Sequence, residues 1–382
     1  MKKIAVAVTL LMAISVGYAQ EGNNICVWNA LKTRDEGGGT EDLEKATKCS
    51  DEAIANDATS AKSKTWFYRG QLYRTIFQDS VLRNKYGTSA FEAIKAFKKL
   101  SDLNDPKFKD WDDAITNLYV LGTLTFNEGV ENYQKKNYAQ AYQYFYAIKD
   151  INAVLEARKK EPTIKLETAL KNAAISAENA GDRPAALNVY KEWLAIAPST
   201  TAYDKYANAL KKSGDTAQAI KIVDEGLAKF PKDANLLVEK INTFLDGGKY
   251  TDALVFVNNL LDIEPKNEGA LFIKGLAYDK LNKEDSVVYY YNKTIEVNPK
   301  YTNAYINLAA VYVNKAKAIN IEMNKLGNSA ADVKKYDEMG GQIKALYVLA
   351  RPYLQKAADL DPSDAQVNRT LKQIDAFMDS HK

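Results

Sequence analysis

Four phrases decide how this chain folds: Trp193-Leu-Ala-Ile-Ala-Pro198, Leu227-Ala-Lys-Phe-Pro231, Leu260-Leu-Asp-Ile-Glu-Pro265 and Thr294-Ile-Glu-Val-Asn-Pro299. Their prolines stand 33, 34 and 34 residues apart. Twelve residues before each proline is a small or β-branched residue, at Ala186, Ala219, Ala253 and Val287. Eight before it is Tyr190, Val223, Val257 or Tyr291. Apolar residues three and four apart make these segments amphipathic helices. Proline then stops each helix, because it lacks an N–H and disfavours helix at the residue before it.

The other half of each repeat is marked too. Ala174, Ala207, Gly275 and Ala309 supply a small side chain where a first helix is crossed by its partner, and Ile241 departs from that pattern. An apolar or aromatic plug follows three residues later, at Leu210, Phe244, Tyr278 and Tyr312. Many positions agree in register, and the chain resembles the tetratricopeptide repeat (TPR) family. The resemblance implies an all-α fold: a right-handed α-solenoid of helix–turn–helix repeats. Each hairpin buries its apolar face against a neighbour, since it cannot do so alone.

Outward from this array the marks weaken. Trp66, Gly70 and Tyr73 hold the aromatic–small–aromatic spacing of a first helix. Its second helix, Ser89 to Leu100, comes late, after an insertion containing Asn84 to Gly87. Asn117 to Tyr133 and Lys136 to Phe145 form a further pair, with Gly129 at the crossing, and Ile151 to Pro162 is degenerate. Before these, Gln20 to Thr40 reads as a short lead-in and a glycine loop, and Glu41 to Asn56 as a helix. Tyr142, Tyr144 and Tyr146 cannot all lie on one helical face.

At the other end, Asn303 to Tyr312 opens a repeat whose closing Pro362 lies 63 residues after Pro299. The surplus, about 313–345, is expected to lengthen both helices into a protruding hairpin. Asn328 or Ser329 would cap the returning helix, and Pro352 would kink it. Asp364 to Met378 would be the C-terminal capping helix that a solenoid needs. The expected organisation is thus a signal peptide over 1–19, an irregular TPR-like region over 20–162, and a regular array with hairpin insertion and cap over 163–382.

Met1-Lys-Lys followed by the apolar run Ile4 to Ile14 has the layout of a secretory signal peptide. Gly17-Tyr18-Ala19 places the cut after Ala19. That reading predicts a periplasmic or secreted protein with no transmembrane span in the mature chain. The apolar run is shorter than the ~20 residues a spanning helix needs, and no Cys directly follows the cut to carry a lipid. In an oxidising compartment Cys26 and Cys49 are a candidate disulfide. The alternative is two unrelated buried thiols.

Charge and chemistry narrow the function. Formal net charge is +3, and two of those charges, Lys2 and Lys3, lie in the expected signal segment. Near neutrality gives no general drive toward nucleic acid. The one histidine, His381, is next to the C-terminus, which argues against histidine-based catalysis and metal sites in a packed core. No phosphate-binding glycine loop and no CxxC is present. The abundant carboxylates fall mostly on predicted outer faces or at turns, as at Asp215, Asp252 and Asp285. No catalytic, cofactor-binding or metal site is therefore assigned, and no cofactor is expected.

What the TPR resemblance implies is recognition of an envelope protein or peptide, with peripheral association to an outer-membrane complex as one setting. Lys205, Asn208, Lys212, Asn242, Phe272, Asn303 and Asn307 fall by register on the concave surface. Some TPR domains clamp a terminal carboxylate with Lys and Asn four apart on a first helix. Here Asp204 holds the Lys position beside Asn208, so that clamp is not carried over. The alternatives are a glycan-binding TPR scaffold of the outer membrane and an all-helical hydrolase. The first is weakened by the missing lipidation Cys and by Tyr336 being the sole aromatic between Val313 and Ala345. The second would require a deep cleft with two carboxylates of raised pKa.

Overall fold

The computed structural model describes residues 22–380. The expected signal segment and His381 lie outside the described residues. Those described form helices and connecting turns, with no strand among them. Helix α1 spans 22–35. It is followed by α2 (Glu41–Ala55), α3 (Asp57–Ser60), α4 (Ser63–Gln78), α5 (Ser80–Lys85) and α6 (Ser89–Leu103). Next come α7 (Trp111–Gln134), α8 (Tyr138–Ala157), α9 (Leu166–Asn179), α10 (Arg183–Ile196) and α11 (Thr200–Lys212). Two compact units divide between Gly214 and Asp215. The second unit holds α12 (Thr216–Lys229), α13 (Ala234–Asp246), α14 (Tyr250–Ile263), α15 (Glu268–Lys280) and α16 (Glu284–Val297). It ends with α17 (Thr302–Met323), α18 (Ala330–Leu360) and α19 (Ala365–Ser380).

Each unit is a stack of TPR-type hairpins, an all-α solenoid arrangement. In the first, α4 pairs with α6, α7 with α8 and α9 with α10. In the second, α13 pairs with α14, α15 with α16 and α17 with α18. The second helix of a hairpin packs on the first helix of the next, as α8 does on α9 and α14 on α15.

Two backbone features beat out the period. The residue before each repeat-closing proline (Ala197, Phe230, Glu264, Asn298 and Asp361) has φ between −125° and −141° and ψ between 67° and 92°. This is the extended conformation that a following proline enforces, and it ends the helix there. Between consecutive helices a single left-handed residue makes the turn, at Gly181 (φ 79°), Gly214 (91°), Gly248 (67°) and Asn282 (54°). These turn residues repeat with the same spacing as the prolines.

The crossing point within a hairpin is a fitted pair of volumes. A Cβ built on Gly70 would lie 2.7 Å from the ring of Phe97, one on Gly129 2.8 Å from Phe145, and one on Gly275 2.7 Å from Tyr291. In each pair a ring of the second helix lies where the first helix has no side chain. Tyr190, wholly buried, runs back along α9 so that its hydroxyl donates to Glu178 Oε2 at 2.7 Å, one turn beyond Ala174. Ile241, the departure in the sequence, is matched by Val257, and both are fully buried in one cluster. The larger residue on one helix is offset by a smaller one on the other.

Three sequence expectations change. Residues 22–35 are a helix and not a lead-in: Val27 and Ala30 are buried while Ile25 and Trp28 point outward, so one helical face carries the packing. The stretch after Ile151 is not degenerate, because α8 continues to Ala157 with Ile151, Val154 and Leu155 buried. Within the insertion, α5 forms under the cap of Asp79, which accepts from the Val81 and Leu82 amides. Tyr144 is buried against Phe77 and Phe91, whereas Tyr142 and Tyr146 stack on each other at 5.6 Å on a half-buried face.

In the last hairpin α17 and α18 run 22 and 31 residues, against 13 and 14 in the hairpin before it. Ser329 caps α18, accepting from the Asp332 amide, and α18 passes through Pro352 as one helix. Alternate spacings of four and three run along both seams. On α17 they link Tyr305, Ala309, Tyr312, Ala316, Ile319 and Met323; on α18 they link Gly340, Ile343, Tyr347, Ala350 and Leu354. That is the pattern of a paired-helix seam. Helix α19 covers the end with Val367, Leu371 and Ile374.

Gly129→Ala is expected to lower stability by about 1–3 kcal/mol through overpacking against Phe145. Adding Phe145→Leu should recover part of the loss, and urea titrations of the single and double variants measure the coupling.

Candidate functional site

On α11, Lys205 is exposed, and Asn208 turns back on its own helix, its Nδ2 donating to the carbonyl and Oδ1 of Asp204, each at 3.0 Å. Lys212 Nζ donates to Glu178 Oε1 on α9 at 2.6 Å. Glu178 is shared, since its other oxygen takes the Tyr190 hydroxyl. Beside it Asn179 Nδ2 donates to the Tyr133 hydroxyl of α7 at 3.0 Å. Glu178, Asn179 and Lys212 line a cleft of about 480 Å³ together with Arg183, Leu187 and Ala209.

Burial alone would push the Glu178 carboxyl up. The hydrogen bonds from Lys212 and Tyr190, with the charges of Lys212 and Lys205, outweigh it and hold the group below its ordinary range. Burial, reinforced by the Glu178 bond, pushes the Tyr190 phenol up. A second polar tie joins α8 to α10: Glu192 takes Lys149 Nζ at 2.7 Å and the Tyr146 hydroxyl at 2.9 Å.

The second unit holds the other four expected residues. Asn303 is exposed and Asn242 half-buried. Phe272 is a packing residue, its ring 5.5 Å from Tyr291 and 5.0 Å from Tyr301. Asn307 Nδ2 donates to the Tyr291 hydroxyl at 3.4 Å. Burial, together with the Asp279 charge, pushes that phenol up to about 12 against the opposing Asn307 bond. The structure thus joins Lys212 to a polar cluster on α9 and α10, and gives Asn208, Phe272 and Asn307 partners within their own units.

The sequence reading missed Glu178, Asn179 and Tyr133. Glu178 and Lys212 lie 34 residues apart, one period. Opposite charges at that separation on successive first helices would have marked the pair. Among the described residues no group of three His, Cys, Asp or Glu side chains is placed to hold a metal ion. None of the described helices is long and apolar enough to cross a membrane.

Among solved structures, MamA from Desulfovibrio magneticus RS-1 matches at 20% identity over 47% of this chain and 94% of its own, with a TM-score of 0.36. Another MamA crystal structure matches at 17% identity over 53% and 98%, with a TM-score of 0.39. A tetratricopeptide repeat protein from Parabacteroides merdae ATCC 43184 matches at 16% identity over 66% and 98%, with a TM-score of 0.42. No family model matches the chain, and no curated protein does. At these identities and TM-scores the resemblance is loose; the TPR-type assignment of the array rests on the chain's own period, turns and fitted crossings.

Because the folded Glu178 carboxyl titrates below its unfolded value, its contribution to stability is complete above the ordinary carboxylate pKa of 4.5. It is lost as pH falls through the folded value. Glu178→Gln should therefore flatten the acid limb of stability below about pH 4.5 while lowering stability at neutral pH, as read by denaturant midpoints across pH.

Proposed function

We propose that this chain is an exported, non-enzymatic protein-interaction scaffold of the bacterial cell envelope, binding a partner along its first helices. The observation that carries the reading is polar exposure on first helices beside the buried crossing. Asn242 stands next to the wholly buried Ile241 yet is itself only half-buried. A hydrogen-bonding group held at a fixed register on a first helix suits an extended backbone ligand. Lys205 and Asn303 add exposed polar groups on first helices of the two units. The lengthened α17–α18 hairpin is a second contact surface. Export rests on the signal-peptide layout of residues 1–19.

Two measurements test this. Fractionation with N-terminal peptide mapping should find the chain in the envelope fraction beginning at Gln20; a chain retained whole in the cytoplasm would overturn export. Crosslinking mass spectrometry in intact envelopes should link first-helix lysines such as Lys205 to a neighbouring protein. Asn242→Arg with Asn303→Arg should reduce those links severalfold, on the scale of losing interface hot spots. Links only between copies of this chain, or links indifferent to both variants, would sink the scaffold reading.

A further inference from the structure

Helix α1 leaves Ile25 55% and Trp28 46% exposed. The helix is held twice: Cys26 is bonded to Cys49 of α2, and Asn24 Nδ2 donates to Thr65 Oγ1 of α4 at 2.9 Å. A large aromatic side chain on an anchored helix loses little freedom when it is covered. Between α1 and the start of α4 lies a hollow of about 260 Å³, walled by Ile25, Trp28 and Tyr68 with Lys62 and Lys64 at its lip. A second hollow of about 460 Å³ shares those two lysines and continues to Lys107, Phe108 and Lys109.

The charge balance of this surface is basic. Lys32 Nζ stands 5.6 Å from the Trp28 ring centre. The carboxylates lining the second hollow are Asp105 and Asp110. Asp105 is already engaged, accepting from Ser63 Oγ at 3.0 Å and from the Lys107 amide at 2.9 Å. The N-terminus of α4 opens between the two hollows and adds the positive end of its dipole.

We propose that these joined hollows dock an acidic segment of a partner protein. One apolar side chain enters between Trp28 and Tyr68, and flanking carboxylates meet Lys64, Lys107 and Lys109. The inference rests on the scaffold reading above and assigns it a further surface with a defined ligand chemistry. A sugar fits less well. Fixing its hydroxyls needs several placed polar groups, whereas among the described residues no carboxylate lines the first hollow and one N–H of the Asn24 amide is already donated. Lysines on flexible stems suit the mobile carboxylates of a peptide as point charges.

The test uses the whole chain and a fluorescein-labelled peptide, Glu-Asp-Glu-Leu-Phe-Glu-Asp-Glu, followed by anisotropy. Saturable binding is expected, weakening steeply between about 20 mM and about 500 mM salt. Trp28→Ala should weaken it about tenfold, and Lys64→Glu with Lys109→Glu at least as much; a peptide with Lys in place of each acid should not bind. Thermal unfolding of each variant checks its fold. If Trp28→Ala is unstable, the lysine pair decides, because both side chains are exposed. Absence of saturation, binding indifferent to the lysine pair, or displacement of the peptide by a neutral oligosaccharide would overturn the proposal. If envelope crosslinks to first helices persist in that case, only this surface is removed; if they are lost as well, the scaffold reading falls too.

Discussion

The hairpins depend on a volume match at one crossing. A helix pair can approach closely only where one backbone presents almost nothing, and there the partner inserts a ring: Gly70 with Phe97, Gly129 with Phe145, Gly275 with Tyr291. The inserted ring then reaches further. Past Gly275, the Tyr291 hydroxyl meets Asn307 on α17, the next hairpin, and its ring packs on Phe272. One contact therefore fixes the approach within a hairpin and the height of its neighbour. Where the ring is replaced by Val257 the first helix carries Ile241, and the larger residue on one side offsets the smaller one on the other.

Polar ties add register to that packing. Arg69 of α4 is nearly buried and bonds Asp51 of α2 at 2.8 Å and Glu92 of α6 at 2.7 Å, with its guanidinium 4.6 Å from the Tyr73 ring. Burial works against that charge, and the Asp51 and Glu92 hydrogen bonds more than offset it, so its pKa rises. Lys240 plays a similar part between α13 and α12, reaching Asp224 while lying over Phe244. Exposed pairs such as Lys135–Glu131 add little by comparison, because water screens them. The buried ties penalise a slipped register, since slipping would strand a charge away from water.

Legibility in the sequence follows from this division. The regular hairpins could be read because proline, turn and crossing residues recur at fixed spacing, and each has a local physical meaning. Ile241 looked like an exception only because the matching Val257 lies in another helix. Helix α1 could not be read as one: its apolar residues divide between a buried face (Val27, Ala30) and an exposed one (Ile25, Trp28), which blurs the period. For the proposed recognition surface, register alone pointed to positions that are exposed, such as Lys205 and Asn303. It could not separate them from Phe272, whose ring is held between Tyr291 and Tyr301, or from Asn208, which bonds Asp204. Such side-chain commitments come from neighbours and not from position in the repeat.

The last hairpin shows how far the same logic extends. In the shorter hairpins the crossing is one point, and the pair depends on its neighbours for the rest of its burial. In α17 and α18 the seam continues past that crossing, with Ala316, Met323 and Ile343 buried in a cluster of their own. A pair with its own continuous seam can extend beyond its neighbours without leaving its inner face wet. That is why the surplus residues lengthen two helices and do not form a loose loop. It also explains how α18 accommodates Pro352: the proline is exposed, and Ala350 and Leu354 on either side of it are buried against the seam. Packing along the helix holds together the turn in which proline has removed a backbone hydrogen bond.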